Sequence, residues 1–491
     1  NYFLYIFKVF NDNGKLCLKT KRCLEGSAWF IISNLFPAIS ALLIFSLASR
    51  LISPSELGTV ALATTIATVL TSLCAVGFGD ALIQCKEITK RHLNTVFTVC
   101  ICVSLFVYVI SVTLIETINL DAFTHLFRVV YPLTASKIIL DSCAIVPLSY
   151  LTRTMEFKSI ALRTMYCSLA SFILCIPILY YGGGVWAIVV SQLTTSAVSF
   201  LILIKAANLK LRVAFHRKEF NELKKFGLTS TITKLITSIS VDNLMIGFYG
   251  NAITLGLYAF SRRIFGVISD VLNNAIANVS YPLYASKQDN LNELKIIFLK
   301  TTFLSALISL PAFCGLILIS PYLIPMVFGN QWEPAISVVQ VCSAIGFISC
   351  IGALQMSLIK GLGHTSWILK YQIAQQVSTA ILVLIFAKDG AYIVMLAIAI
   401  KTFSIWPFSM RYVSKILGVG IVDYMRNFVK PILAVSAMIT VCVIIECITK
   451  DYGSLVILLS VILGGVISYI LSAFLLARKE TFDFIKAIKK R

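Results

Sequence analysis

Apolar stretches of about 20 residues recur along the whole chain, and short polar loops separate them. This is the length that a helix needs to cross the hydrocarbon core of a bilayer. Hydrophobic residues make up 58% of the chain, charged residues make up 13%, and the mean hydropathy is +0.90. A water-soluble fold does not carry so large an apolar fraction. The sequence therefore predicts an all-α integral membrane protein.

Fourteen of these stretches are expected to be transmembrane helices, and twelve is the alternative count. The predicted spans lie at 26–49, 58–77, 93–115, 129–150, 160–181, 184–204, 227–249, 253–280, 301–320, 335–356, 366–387, 390–410, 428–447 and 453–476. With the N-terminus inside the cell, this arrangement places both termini in the cytoplasm and makes the chain a multi-pass protein of the cytoplasmic membrane.

The net charge of +20 would suit a nucleic-acid partner, so the position of the basic residues matters. Nearly all Lys and Arg residues of the loops and tails fall on the predicted inner side. The outer loops contain only Arg50, Arg128, Lys388 and Lys450. Such a bias is the positive-inside rule of membrane proteins. It accounts for the charge without nucleic acid.

A short internal repeat suggests how the spans are grouped. The run LGTVA at 57–61 is echoed by LGLYA at 255–259, and each run opens the second span of its half. We therefore expect two pseudo-symmetric lobes of six spans with the same orientation. The predicted segments are a cytoplasmic N-terminal segment at 1–25, an N-lobe at 26–205, a basic cytoplasmic linker at 206–226, a C-lobe at 227–415, a C-terminal helix pair at 416–477 and a basic cytoplasmic tail at 478–491.

Charged residues inside the predicted spans are the strongest indication of function. The cations well inside the spans are Lys137, Lys234, Arg262, Arg263 and Lys401. A charge at hydrocarbon depth is costly, so it usually faces a bundle interior or a water-filled cavity and marks a pathway. The hairpin from residue 227 to residue 284 carries most of these charges.

Some of these charges have a simpler structural explanation. Lys137 and Asp141 are four residues apart and share a helix face, so a self-neutralised pair is favoured over a substrate contact. Arg263 and Asp270 are seven residues apart and are expected to form an ion pair for the same reason.

Several motifs resemble those of bacterial polysaccharide exporters of the Wzx type, most closely the colanic-acid-exporter branch. The motifs are DNLMIG at 242–247, LGLYAFSRR at 255–263, YPLY at 281–284, RLISPSELG at 50–58 and GFGDALIQ at 77–84. The resemblance extends over about residues 26–415. It implies membership of the multidrug/oligosaccharidyl-lipid/polysaccharide (MOP) superfamily. Members have two six-helix lobes that form a V around a cavity, which opens alternately to either side.

The resemblance also implies a substrate. Wzx-type proteins move oligosaccharide units, attached to undecaprenyl pyrophosphate, to the outer leaflet for surface polysaccharide synthesis. The anionic head of this lipid-linked substrate needs cations in a hydrated cavity. Arg suits phosphate because its guanidinium can bind two oxygens at once. We expect Arg262 to contact phosphate, with Lys234 and Lys401 assisting and Lys137 as a further candidate.

The membrane carboxylates Asp141, Asp242 and Asp270 are candidates for proton or sodium coupling, because an acid that changes protonation between two states can link ion flow to conformation. The alternative is that they are structural partners of the lysines and arginines.

Other chemistry is largely excluded. The chain has no Walker P-loop and no CxxC pair, and its four His residues are isolated, so no ATP hydrolysis, metal, cofactor or catalytic residue is expected. A cation or drug antiporter of the related MATE type is the alternative function, and a polysaccharide polymerase or ligase is less favoured. The expected partners are the lipid-linked oligosaccharide, membrane lipids, and a polymerase and glycosyltransferases.

Overall fold

The computed structural model describes residue 37 and residues 39–74, 76–118 and 120–476, apart from the side chains of 237 and 274–279. Within these residues all regular secondary structure is helical. Two compact units divide the chain between Gly256 and Leu257, and we call them the N-terminal and C-terminal units. The predicted terminal segments at 1–25 and 478–491, and half of predicted span one, lie outside the described residues.

The helices of the N-terminal unit follow one another with short connections. They are α1 (Ile39–Ser49), α2 (Pro54–Leu73), α3 (Gly77–Gln84), α4 (Lys90–Thr117), α5 (His125–Arg153), α6 (Phe157–Tyr180), α7 (Gly184–Ala207), α8 (Arg217–Ser238) and α9 (Val241–Tyr249). Helix α10 (Ala252–Ala285) begins in this unit and continues into the next.

The C-terminal unit contains longer helices. They are α11 (Leu291–Phe328), α12 (Ala335–Ala344), α13 (Gly346–Gly361), α14 (Thr365–Phe386), α15 (Ala391–Leu417), α16 (Ile421–Arg426), α17 (Val429–Thr449) and α18 (Ser454–Leu476). A 3-10 turn, Asn330–Trp332, follows α11.

Among the described residues, eleven helical segments are long and apolar enough to cross a membrane. Their sides expose large aliphatic residues, as on α18, where Leu455, Leu463 and Leu475 are each more than half exposed. Such surfaces suit hydrocarbon and would aggregate in water. The prediction of an all-helical membrane protein is confirmed, while the count of fourteen spans and their grouping into lobes stay predictions.

Predicted span seven, at 227–249, differs from the structure. It consists of the end of α8 and the whole of α9, and the helix is interrupted at Ile239 and Ser240. Ile239 has an extended backbone with φ −70° and ψ 112°. The hydropathy of this stretch indicated one apolar segment, but hydropathy carries no information about a local change in ψ. Helix α8 also begins at Arg217, within the segment predicted to be a linker.

Close backbone contacts organise the N-terminal unit. A Cβ added to Gly77 would lie 2.2 Å from the Thr231 nitrogen, so only glycine lets the start of α3 approach α8 so closely. The Gly77 N–H donates a hydrogen bond to the Thr231 hydroxyl at 3.1 Å. The Arg153 guanidinium binds the other end of α3 by donating to the carbonyls of Leu82 and Ile83. Helix α3 is therefore held at both ends.

The two repeat glycines predicted from the sequence meet in the same unit. A Cβ on Gly58 would lie 1.8 Å from the Ala252 carbonyl oxygen, and one on Gly256 would lie 1.7 Å from the Pro54 carbonyl oxygen. The contact is reciprocal, since each glycine faces the carbonyl four residues before the other. This reciprocity matches the sequence echo on which the repeat was predicted.

The core of the C-terminal unit is aromatic. Phe298 and Tyr424 stack with ring centroids 5.7 Å apart, and Phe428 packs edge-on against Tyr424 at 5.3 Å. All three side chains are fully buried. This cluster joins α11 to α16 and to the residues before α17.

Candidate anion-binding cleft

A cleft of about 380 Å³ opens in the N-terminal unit. Three helices, α2, α5 and α8, and the residue before α3 contribute its lining, which is Thr68, Thr71, Ser72, Val76, Lys137, Asp141, Lys234 and Ser238. Hydroxyl groups form one wall, because Thr68 and Thr71 lie on the same face of α2. Each donates its hydroxyl hydrogen to the carbonyl four residues earlier, at 2.8 Å, which leaves oxygen lone pairs towards the cleft.

Lys137 and Asp141 on α5 form the first charged pair of the cleft. The Lys137 ammonium lies 3.9 Å from the nearer Asp141 carboxylate oxygen, at the limit of an ion pair. Both side chains are partly exposed, at 29% and 32%. The predicted pairing of these two residues along one helix face is therefore present, but both groups remain accessible from the cleft.

Lys234 forms a second and tighter pair with a residue distant in sequence. Its ammonium lies 2.8 Å from each carboxylate oxygen of Asp80 on α3. The Ser230 hydroxyl donates to the same carboxylate at 2.5 Å. Ser230 and Lys234 are one turn apart on α8, so both reach Asp80 from the same side. The close approach of α3 and α8 at Gly77 makes this geometry possible.

Polar contacts continue along α2 away from the charged pairs. The Asn243 amide donates to the Thr65 hydroxyl at 3.5 Å, and the Gln192 amide donates to the Thr64 hydroxyl at 3.3 Å. Asp242 lies in the first turn of α9, immediately after the interruption at Ser240, where the helix dipole favours a negative charge.

The structure brings together three of the residues predicted from the sequence to have a functional role: Lys137, Asp141 and Lys234. The other predicted residues lie elsewhere. The Arg262 guanidinium carbon lies 5.8 Å from the Phe265 ring centre, and the Lys401 ammonium donates to the Thr379 hydroxyl at 2.8 Å. Asp270 is exposed on α10. Their roles, and an Arg263 pairing with Asp270, stay predictions.

Sequence reasoning missed two charged residues of this region. Asp80 belongs to the motif GFGDALIQ, but its position at the end of a predicted span gave no sign of a partner 154 residues away. Arg163 on α6 is close enough to Asp141 to act on its charge. It lies near the start of predicted span five, at 160–181, so the sequence does not single it out. Its Nε is buried without a hydrogen-bond partner among the described residues.

The described residues contain no group of three or more His, Cys, Asp or Glu side chains positioned to hold a metal ion. The charged groups that line the cleft are two lysines and Asp141, Asp80 is paired with Lys234, and hydroxyls lie beside them. The ammonium groups are donors that suit an anion, and phosphate oxygens in particular.

Comparison with known proteins assigns the family. Residues 47–337 match the family described as polysaccharide biosynthesis protein. The match covers more than half of the chain, so the chain belongs to this family of polysaccharide biosynthesis proteins. The resemblance predicted from the sequence motifs is confirmed.

Individual relatives have low sequence identity to this chain, but the matched regions are long. The chain is 23% identical over 479 residues to an uncharacterized membrane protein in the cps region of Klebsiella pneumoniae, and the match covers 94% of this chain and 97% of that protein. It is 22% identical over 343 residues to the lipopolysaccharide biosynthesis protein WzxC of Escherichia coli, and the match covers 68% of this chain and 68% of that protein.

The fold is similar to that of the lipid II flippase MurJ in an inward closed conformation. The TM-score is 0.75 at 16% sequence identity, and the match covers 93% of this chain and 99% of that one. The MurJ-like fold of the chain is thus established over nearly its whole length.

Proposed function

We propose that this protein is a flippase that moves undecaprenyl-pyrophosphate-linked oligosaccharide units across the cytoplasmic membrane for surface polysaccharide synthesis. The observation that carries the proposal is a lysine-bearing, partly exposed cleft in a chain of the polysaccharide biosynthesis family. A sugar-linked diphosphate cannot cross hydrocarbon unaided, and such a cleft offers its charge compensating donors.

The cleft supplies two kinds of group for such a substrate. Lys137 and Lys234 would bind phosphate oxygens, and the hydroxyls of Thr71 and Ser72 would accept hydrogen bonds from sugar hydroxyls or ordered water. We further propose that Arg262 and Lys401 contact the substrate during transport. Their placement on membrane helices motivates this role.

Ion coupling is proposed for the membrane carboxylates. Asp141 is the strongest candidate because it lines the cleft beside Lys137, so its protonation or sodium binding would change the charge that the substrate meets. Asp242 and Asp270 are proposed as further coupling residues. The ion is a proton or sodium.

The remaining parts of the proposal concern topology and partners. We propose fourteen spans, in two six-helix lobes at 26–205 and 227–415 with a helix pair at 416–477. Both termini would be cytoplasmic, as the distribution of Lys and Arg requires. A polymerase would receive the units after transport, and glycosyltransferases would assemble them beforehand. The mechanism would be alternating access.

The test is deletion of the gene in its native strain, followed by complementation. Surface polysaccharide and undecaprenyl-linked precursors are both quantified. The proposal predicts that deletion removes the polymer, that precursors accumulate on the inner leaflet, and that the intact chain reverses both effects. Normal polymer in the deletion strain, with no accumulated precursor, would contradict the proposed function.

A further inference from the structure

The cations of the cleft already have carboxylate partners. Lys234 contacts both oxygens of Asp80 at 2.8 Å, and Lys137 lies 3.9 Å from Asp141. Each lysine that lines the cleft is thus matched by one acid, although an anionic substrate needs these same ammonium groups.

The surroundings of Asp80 resemble a phosphate site. Its carboxylate receives a hydroxyl hydrogen bond from Ser230 and a charge-assisted contact from Lys234, both from one turn of α8. One ammonium group and one hydroxyl group at this spacing could also donate hydrogen bonds to a pair of phosphoryl oxygens. Asp80 therefore occupies donors suited to the substrate.

Asp80 and Lys234 differ in how freely their side chains can move. Asp80 lies on α3, which is fixed at its start against Thr231 and at its end by Arg153. Lys234 has a flexible four-carbon stem and already lines the cleft, and its side chain is 37% exposed. If the pair separates, the ammonium group of Lys234 can move while Asp80 stays in place.

We propose that Asp80 is an internal competitor of the substrate diphosphate. Its carboxylate holds Lys234 when the cleft is empty, exchanges with the diphosphate on loading, and recaptures Lys234 to promote release. Asp80 is then a specificity-determining residue, since a weakly charged ligand cannot displace a carboxylate from an ammonium group. The inference rests on the proposed function only for the identity of the ligand.

The test measures binding of inorganic pyrophosphate to the full chain in lipid nanodiscs by calorimetry. Asp80→Asn removes the competing charge and should bind pyrophosphate about tenfold more tightly than the wild type. Asp121→Asn removes a carboxylate from an exposed loop and should bind like the wild type. Adding Lys234→Ala to Asp80→Asn should abolish the gain.

A transport assay distinguishes the exchange of Asp80 with the diphosphate from a structural role of Asp80. Asp80→Asn should bind more tightly yet move lipid-linked oligosaccharide more slowly, because release is no longer assisted. Asp80→Glu keeps the charge and should behave like the wild type within about twofold. If Asp80→Asn lowers the unfolding temperature, Asp80→Ser is the second variant, with the same expected gain.

Unchanged or weaker pyrophosphate binding in a stably folded Asp80→Asn or Asp80→Ser variant would overturn the exchange. This readout requires neither glycan nor transport. If the Asp80 variant binds pyrophosphate more tightly but the protein moves no lipid-linked oligosaccharide, the exchange is preserved and the proposed function is refuted. Active transport with unchanged pyrophosphate binding would refute the exchange and preserve the proposed function.

Discussion

The cleft of the N-terminal unit and a buried polar network of the C-terminal unit handle polar side chains in opposite ways. In the network, Gln355 donates to the Tyr424 hydroxyl at 3.2 Å and accepts from the Ser409 hydroxyl at 2.8 Å. All three side chains are at most 1% exposed. In the cleft, the charged pairs are about one-third exposed.

This difference separates structure from function within one membrane protein. A closed network of neutral groups satisfies its own hydrogen bonds and fixes the packing of the helices around it. An open set of charged pairs gains little stability, because water screens each pair and competes for it. Exposed charges on membrane helices are therefore better explained by binding than by folding.

The largest effect is expected from removing both cations of the cleft. Lys137→Ala combined with Lys234→Ala should lower the transport rate about 100-fold with an unchanged amount of folded protein, because the diphosphate loses its charge compensation. Radiolabelled precursor movement in proteoliposomes measures the rate. The matched control is Lys388→Ala with Lys450→Ala, both exposed outside the cleft. Equal rates in both double variants would remove the cleft from the mechanism.

Next in size is the effect of separating α3 from α8. Gly77→Ala places a Cβ 2.2 Å from a backbone nitrogen, so the helices must move apart at a cost of about 2 to 3 kcal/mol. Gly315→Ala is the control, since a Cβ there meets nothing within 4 Å. The free energy of unfolding in mild detergent measures the difference. Similar values for the two variants would show that the close approach is unimportant.

The buried network should respond in stability alone. Gln355→Leu removes the donor to the buried Tyr424 hydroxyl, while Ser409 keeps its bond to the Trp406 carbonyl, and should lower the free energy of unfolding by about 2 kcal/mol. The transport rate per folded molecule should not change. Gln376→Leu, at an exposed position on α14, serves as the control in the same unfolding assay. Transport loss without destabilisation would reverse the assignment of this network to structure.

The smallest effect concerns ion coupling. If Asp141 couples transport to an ion gradient, collapse of the proton and sodium gradients should slow the wild type about fivefold. Asp141→Asn should be slow under both conditions. Precursor movement in vesicles with and without ionophores tests this expectation, with Asp121→Asn as the control. Export that continues at full rate after both gradients collapse would refute coupling.

The sequence was informative about local features. Hydropathy located the membrane helices, and the spacing of four residues correctly paired Lys137 with Asp141, because a helix fixes the relative position of such neighbours. The motif around Gly58 and Gly256 indicated a repeat whose glycines meet in the structure. Each of these inferences needs only one helix or one repeat.

The rest depended on contacts between distant segments. The sequence predicts that Lys234 assists Arg262, which nothing in the structure contradicts, but it gave no sign of the contact between Lys234 and Asp80 on α3. Hydropathy shows that a segment is apolar without showing which face meets which neighbour. The helix interruption at Ile239 likewise has no signal in composition. Arg163 was not singled out because it lies near the start of a predicted span, where the boundary is uncertain by about one turn.

Photocrosslinking of the substrate in cells tests the cleft most directly. A photoreactive residue replaces Thr71 in the cleft wall, and a matched one replaces Thr113 on an exposed face of α4. Mass spectrometry then identifies the captured lipid. Our account predicts that position 71 captures undecaprenyl-pyrophosphate-linked oligosaccharide, that Lys137→Ala with Lys234→Ala abolishes the capture, and that position 113 captures little. Equal capture at both positions, or none at position 71 in an actively exporting cell, would contradict it.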